Sequence, residues 1–389
     1  MSEIKMNEAT EQITTNTLPL EKVHERLGAR FREEDNWRVP ESYGDEKAEY
    51  AIVREGGAGL IDLSSRGRMR VAGSEAIMFL NGLITNDMKT LAENRWMAAA
   101  FPNVQGRLIA AVRVVRLADE STKEKTSPTF LIESEAATHE SVLKTIARFT
   151  MAGDFRVTDL TSETTLLSVQ GEGATEIARK VLGGAVAEIP RDGALTIDLQ
   201  QSVVTVIRAT HTGEDGFDLI VNTTEAVALW DSLIEAGAQP VGHDALEILR
   251  IEAGIARYGR DMDETNVVTE TNLDDAVSFT KGCYIGQEII ARIKYRGHVA
   301  KKLSGLMFEQ NEPIEVGASI KSAEGKDIGR VTSVARSPRL NRTIALGYVR
   351  YEYLAAGTSV KVVSGDLEVA ATVGVLPFVL GSWQKDGLI

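Results

Sequence analysis

The sequence predicts an α+β chain that closes with a small all-β unit. Three observations carry this reading. Between residues 46 and 300, helical apolar spacing and β-branched strand runs alternate without a regular βαβ order. From residue 301 to 384, short strands recur between glycine turns, which is barrel or sandwich texture. At 389 residues, 43% of them hydrophobic and 25% charged, the chain is too long for one ordinary core and rich enough to fill two or three.

Taken in order, residues 1–45 are polar and include the charged stretch 30–35, so they read as an extension, partly helical and mobile. GLIDLSSRGRMRVAG (59–73) reads as two strands about a turn. SEAIMFLNGLI (74–84) reads as a helix with Ser74 as its N-cap. Residues 98–116 form a hairpin about Asn103-Val104-Gln105-Gly106, and the charged insert 118–127 is a solvated loop before the strand TFLIES. SEAATHESVLKTIARF is helical by period, VTDLTSETTLLSVQGEG (157–173) is strand, turn, strand, and ATEIARKVLG is a helix stopped by Gly183. SVVTVIRATHTGEDGFDLIV (202–221) gives a strong hairpin signal, its turn assigned to Glu214-Asp215-Gly216. Helices follow at TEAVALWDSLIEAG and at 244–259.

Charge and cysteine usage narrow the function. A net charge of -13 argues against an extended nucleic-acid surface, which needs basic excess. One cysteine excludes an intrachain disulfide and any metal site that needs several cysteines of this chain. The N-terminus lacks the apolar core of a signal peptide, and no apolar run approaches membrane-spanning length. The expectation is a cytoplasmic protein with no membrane partner.

That lone thiol, Cys283, lies in KGCYIGQE just before a helix whose apolar residues are Ile285, Ile289, Ile290 and Ile293. Lys281 is two residues away, and Arg292, Lys294, Arg296 and His298 follow. A helix N-terminus and nearby cations favour a thiolate, whereas a buried free cysteine is inert; both readings stay open. The basic run 292–302 suits a phosphate or carboxylate tail, or is a solvated helix end. Glu214, on a rigid turn, suits the adjacent N–H donors of a pterin or guanine edge, although most turn acids do nothing. The histidines show no metal spacing, so no metal site is assigned.

RIEAGIARYGRDMDETN followed by VSFTKGCYIGQE resembles the glycine-cleavage T-protein (GcvT, aminomethyltransferase) superfamily, and K-G-C-Y-x-G-Q-E resembles the signature of its YgfZ-like folate-binding branch. HTGEDGFDL is similar to the superfamily's folate-binding turn, and GRVTSVARSPRLNRTIALGYV with LPFV to its C-terminal barrel. The resemblance implies two interleaved α+β domains around a folate cavity over 46–300, then a β-barrel over 301–384. It implies tetrahydrofolate or a derivative as cofactor and Glu214 as pterin ligand, with Trp383 near the folate and Tyr284 and Arg292 assigned to folate binding. Lys281, Gly282, Cys283, Tyr284, Gly286, Gln287 and Glu288 match the YgfZ-type signature. YgfZ relatives assist iron–sulfur cluster assembly, so the function expected here is a folate-binding accessory protein with Cys283 as its functional thiol, Lys281 beside it, and iron–sulfur proteins as partners. The alternative is a folate-dependent aminomethyltransferase. One departure bears on that choice. Where T-proteins carry an aspartate pair beside the reactive folate nitrogen, this chain has Ala110 and Ala111, and Leu246 stands near a T-protein arginine.

Overall fold

The computed structural model describes residues 15–121, 126–151, 153–199 and 202–385. Residues 1–14 of the expected extension and 122–125 of the expected loop lie outside this set. The rest of the extension is folded, which corrects the first expectation. Asn16–Thr17 (β1), Arg30–Glu34 (β2) and Trp37–Ser42 (β3) form a sheet in the order β1-β3-β2, with Glu21–Arg26 (α1) between the first two. Leu20 and Val23 join a core cluster, and buried His24 bonds Asp62 at 2.9 Å. The charges of 30–35 find partners far off in sequence: Arg32 pairs with Asp244, and buried Glu34 with Arg257.

Glu46–Arg54 (α2), Gly59–Asp62 (β4), Gly67–Ala72 (β5), Ala76–Leu83 (α3), Arg95–Pro102 (β6) and Leu108–Arg116 (β7) come next. Glu120–Ser121 (β8), Thr126–Ser127 (β9), Thr129–Ser134 (β10), Ala136–Ala147 (α4), Arg156–Asp159 (β11), Thr164–Gln170 (β12) and Ala174–Leu182 (α5) follow. Ala194–Leu199 (β13), Ser202–Arg208 (β14), Gly216–Asn222 (β15), Ala226–Glu235 (α6), Gln239–Pro240 (β16), His243–Glu252 (α7) and Gln287–Arg296 (α8) complete the α+β part.

Two sheets share this chain. One has the order β11-β5-β10-β7-β6, the other β13-β14-β15-β12-β4-β16. The strand β4 pairs with β12, although every strand of the first sheet lies between them in sequence. The two units are therefore interleaved, as the resemblance implied. The stretches 59–73 and 157–173, each read as two strands about a turn, split between the sheets, because β4 and β12 serve one and β5 and β11 the other.

Local chemistry refines three boundaries. Ser74 does not cap α3; its N–H and hydroxyl both donate to Asp154 Oδ2, at 2.8 and 2.9 Å. The helix predicted to 259 stops at Glu252, because Gly254 takes φ +69°, a left-handed stop. The β14–β15 hairpin forms, but Gly213 at φ +80°, not Gly216, turns the chain. Gly216 begins β15, where a Cβ would sit 2.2 Å from Gln170 Nε2.

Helices α3 and α4 cover the first sheet over Met69, Phe101, Val114 and Phe130, and α5 and α6 cover the second over Leu167, Val206 and Phe217, with Trp230 of α6 buried among them. Val115 and Leu131 of one sheet pack against Ile61, Leu166 and Ile207 of the other. Each such side chain, fully buried, stabilises by roughly 1.5–3 kcal/mol. The C-terminal strands Lys301–Phe308 (β17), Ser319–Lys321 (β18), Asp327–Ser337 (β19), Arg342–Arg350 (β20), Ser359–Ser364 (β21) and Leu367–Gly374 (β22) close a barrel in the order β17-β20-β19-β18-β21-β22. Ser382–Lys385 (α9) ends the described chain. Among the described residues, no helix is long and apolar enough to cross a membrane.

Candidate functional site

Strand alternation on β7 sets the first wall. Ala110, Val112 and Val114 point into the core of the first unit. Ala111, Arg113 and Val115 take the opposite face, where Val115 packs toward the second sheet and Ala111 against the cluster of Tyr258, Val268 and Tyr284. The Arg113 guanidinium donates both to Glu133 on β10 and to Asp218 on β15, tying the sheets together. Asp218 also accepts from Ser168 Oγ at 2.6 Å and meets His211 Nε2 at 3.0 Å. Burial alone would raise the Asp218 carboxyl, but the charge that His211 carries when protonated, the Arg113 guanidinium and the hydrogen bonds from His211 and Ser168 outweigh it and hold it well below the usual carboxylate range. Glu133 is lowered for the same reason, by Arg113 and Arg66 against its burial.

His211 opens onto a cavity of about 60 Å³, whose walls include Arg66, Glu135, Glu247, Arg250 and Arg257. Leu246 is also on this wall, as is Glu34 from the N-terminal sheet. Burial pushes the Glu34 carboxyl up, but His243 and Arg257 together drive it far below its ordinary value.

Glu214 sits at the hairpin tip, 6% exposed. Arg54 Nη1 donates to its Oε1 at 2.6 Å, and Ser382 N and Oγ both donate to Oε2 at 2.6 Å. Arg54 is itself held by Glu252, its Nε donating at 3.1 Å. Trp383 lies against the same loop, its N–H donating to Gly213 O at 3.1 Å and Arg191 stacked 5.2 Å from its ring centre. The structure thus brings Glu214 and Trp383 together, with both Glu214 oxygens already accepting protein donors.

The KGCYIGQE residues assemble elsewhere. None of residues 281–292 is among the described residues lining the cavity. Lys281 is buried and its ammonium donates to Asn81 O, Ile84 O and Asn86 O at 2.6–2.8 Å. It closes the C-terminus of α3 instead of flanking the thiol. Tyr284 is buried with Leu108, Tyr258 and Ile290, 4.8 Å from Lys281 Nζ to ring centre. Gly286 takes φ +77° at the N-cap of α8, and a Cβ there would meet Asn103 O at 2.4 Å. Gln287 and Glu288 open the helix, and Arg292 is exposed along it. Gly282 and Cys283 are exposed, so the buried, inert alternative for the thiol does not hold.

Sequence reading passed over Arg54, Arg66, Arg113 and Asp218, and weighed His211 only as a metal ligand. Alternation offered one signal: His211 and Asp218 flank the Glu214 turn within a single hairpin motif.

Comparison with known proteins completes the picture. Residues 20–281 match the GCVT N-terminal domain and residues 301–379 match the glycine cleavage T-protein C-terminal barrel domain. An aminomethyltransferase of Rubrobacter xylanophilus is 33% identical over 343 residues, covering 86% of this chain and 87% of its own. One of Symbiobacterium thermophilum is 31% identical over 92% of this chain and 96% of its own. The crystal structure of glycine cleavage system aminomethyltransferase T from Bartonella henselae superposes with a TM-score of 0.86 at 26% identity, over 94% of this chain and 98% of that one. With both family domains matched in order and the whole three-part architecture shared, this chain belongs to the glycine cleavage T-protein family.

Proposed function

We propose that this protein binds a tetrahydrofolate between its two α+β units and transfers an aminomethyl or related one-carbon group. The observation that carries the reading is the cavity itself: ionised side chains from both units converge on it beside His211, three residues before Glu214 in the same hairpin, in a chain whose relatives are named aminomethyltransferases. A pterin edge offers adjacent N–H donors, which a carboxylate accepts in parallel. Glu214 supplies that carboxylate once Ser382 releases Oε2, and Trp383, one residue on, then lies beside the ring. At about 60 Å³ the cavity is far below the several hundred Å³ of an ordinary ligand pocket. Binding therefore parts some of the ion pairs across it.

Calorimetric titration with tetrahydrofolate and its methylene and formyl forms tests this. Wild type is expected to bind at least one form, and Glu214→Ala to weaken it about tenfold to a hundredfold. Failure of every form to bind sinks the reading. Ammonia release from an aminomethyl-lipoyl carrier in the presence of tetrahydrofolate then tests transfer.

The exposure of Cys283 favours a second reading: a YgfZ-type accessory protein of the cytoplasm, supporting assembly or repair of iron–sulfur enzymes through that thiol. A Cys283→Ser variant that fully restores iron–sulfur enzyme activity to a deletion strain rules this reading out.

A further inference from the structure

When a secondary amine of tetrahydrofolate takes up a one-carbon unit, its proton must go somewhere. The resemblance implies a carboxylate near that nitrogen, where this chain carries Ala110 and Ala111, and Ala111 packs against the cluster of Tyr258, Val268 and Tyr284. The cavity wall offers a different polar group. His211 Nε2 lies 3.0 Å from Asp218 Oδ2 and 3.1 Å from Oδ1. Asp218 is fully buried and ionised, so it only accepts hydrogen bonds; the ring proton of a neutral His211 therefore sits on Nε2 and the lone pair on Nδ1. Among the described residues no group hydrogen-bonds Nδ1, and the ring lines the cavity.

The support behind this pair is built in. His211 N donates to Gln170 Oε1 at 3.0 Å, and Thr212 Oγ1 donates to the same oxygen at 3.2 Å. Gln170 Nε2 in turn donates to Ser168 Oγ at 3.0 Å, and Ser168 Oγ to Asp218. A buried carboxylate that fixes the tautomer and orientation of an imidazole, on a loop pinned at its backbone, is the arrangement a positioned base requires.

We propose that His211 is the proton acceptor of the cavity and that Asp218 is its positioning residue. This rests on the one-carbon transfer reading above. In the step, the amine nitrogen forms a bond to the methylene carbon of an aminomethyl group borne on a thiol carrier. The bond from that carbon to the carrier sulfur breaks, and the sulfur leaves as a thiolate with the electron pair. The amine proton passes to His211 Nδ1, and the imidazolium returns it to the departing group. Asp218 from the same hairpin, and Arg113 and Glu133 from the first sheet, face the ring. Across the cavity stand Arg66, Glu135 and Arg257, with His243, Glu247 and Arg250 from α7 and Glu34 from β2.

Nitrogen NMR of wild-type protein labelled in histidine reads the tautomer directly. The Nε2–H form is expected, with the Nδ1 resonance of His211 moving when 5-formyltetrahydrofolate is added. His211→Gln is expected to bind tetrahydrofolate within a few-fold of wild type. Its single-turnover transfer should slow on the order of 10²- to 10⁴-fold and lose the limb that rises with pH. Asp218→Asn should lower kcat far more than it raises KM. An Nδ1–H tautomer in wild type overturns the proposal, and this measurement needs no variant to fold. Unchanged rate and pH profile in His211→Gln also overturn it, leaving the transfer reading intact. If no tetrahydrofolate form binds wild type, the transfer reading falls and the role of His211 falls with it.

Discussion

Three carbonyl oxygens converge on the Lys281 ammonium, those of Asn81 and Ile84 at the end of α3, where helix carbonyls lack intrahelical partners, and that of Asn86 just beyond it. A cation there is also favoured by the helix dipole. Burial pushes the ammonium down to about 8, with Asp87 pulling the other way. Lys281→Met should therefore cost about 1–3 kcal/mol in urea unfolding, because buried carbonyls lose their donor. The pH dependence has a definite sign. The folded pKa lies below the ordinary 10.5, so between about 8 and 10.5 the unfolded chain holds the proton more tightly. Wild-type stability measured against Lys281→Met should accordingly rise with pH through that window; a flat difference contradicts the assignment. The sequence places Lys281 two residues from Cys283, and adjacency suggested a shared electrostatic role. The loop instead turns the lysine inward and the thiol outward, a choice made by α3, some 200 residues earlier in the chain. Glu214 was legible because its hairpin motif is local. Its partners Arg54 and Ser382 were not, since they lie 160 and 168 residues away.

The helix α8 depends on how KGCYIGQE meets the β6–β7 turn. Gly286 sits where a side chain would strike Asn103 O, in a left-handed backbone, and Ile289 and Ile290 lie against Gly106. Gly286→Ala should destabilise the protein by more than about 1 kcal/mol, with thermal unfolding as the readout. Replacement of Gly282, which has open space around its α-carbon, should be much milder by the same measurement. Helices and strands showed themselves in the sequence because their periods are local properties; α5, α6 and the β6–β7 hairpin needed nothing else. Sheet membership did not, since the partner of a strand is set by tertiary packing. GLIDLSSRGRMRVAG has the alternation of two strands, and nothing in it says that β4 and β5 part company. The N-terminal strands hid behind their charges, which look unpaired until Arg257 folds over Glu34.

Across the whole molecule, Arg113 is the joint between the two sheets. Its removal leaves Glu133 and Asp218 buried with one cation fewer, so Arg113→Met should cost about 3–5 kcal/mol in chemical unfolding. Acid should loosen the same joint. Asp218, Glu133 and Glu135 all lie below their ordinary values of 3.8 and 4.5, so the stability they contribute is present above those values and lost as pH falls beneath them. Unfolding free energy should fall with pH below about 5, less steeply in Arg113→Met than in wild type. A wild-type profile level down to pH 3 contradicts this.

The position of β4 has a bearing on how the protein is made. Gly59–Asp62 must wait for Leu167–Gln170, about a hundred residues later, before it has a neighbour to bond. At the ribosome's pace of about 5–20 residues per second, that is on the order of 5–20 seconds in which an apolar strand emerges unpaired. Through that interval the nascent chain is a substrate for holding chaperones, and the second sheet cannot be completed by any fragment that begins after residue 62.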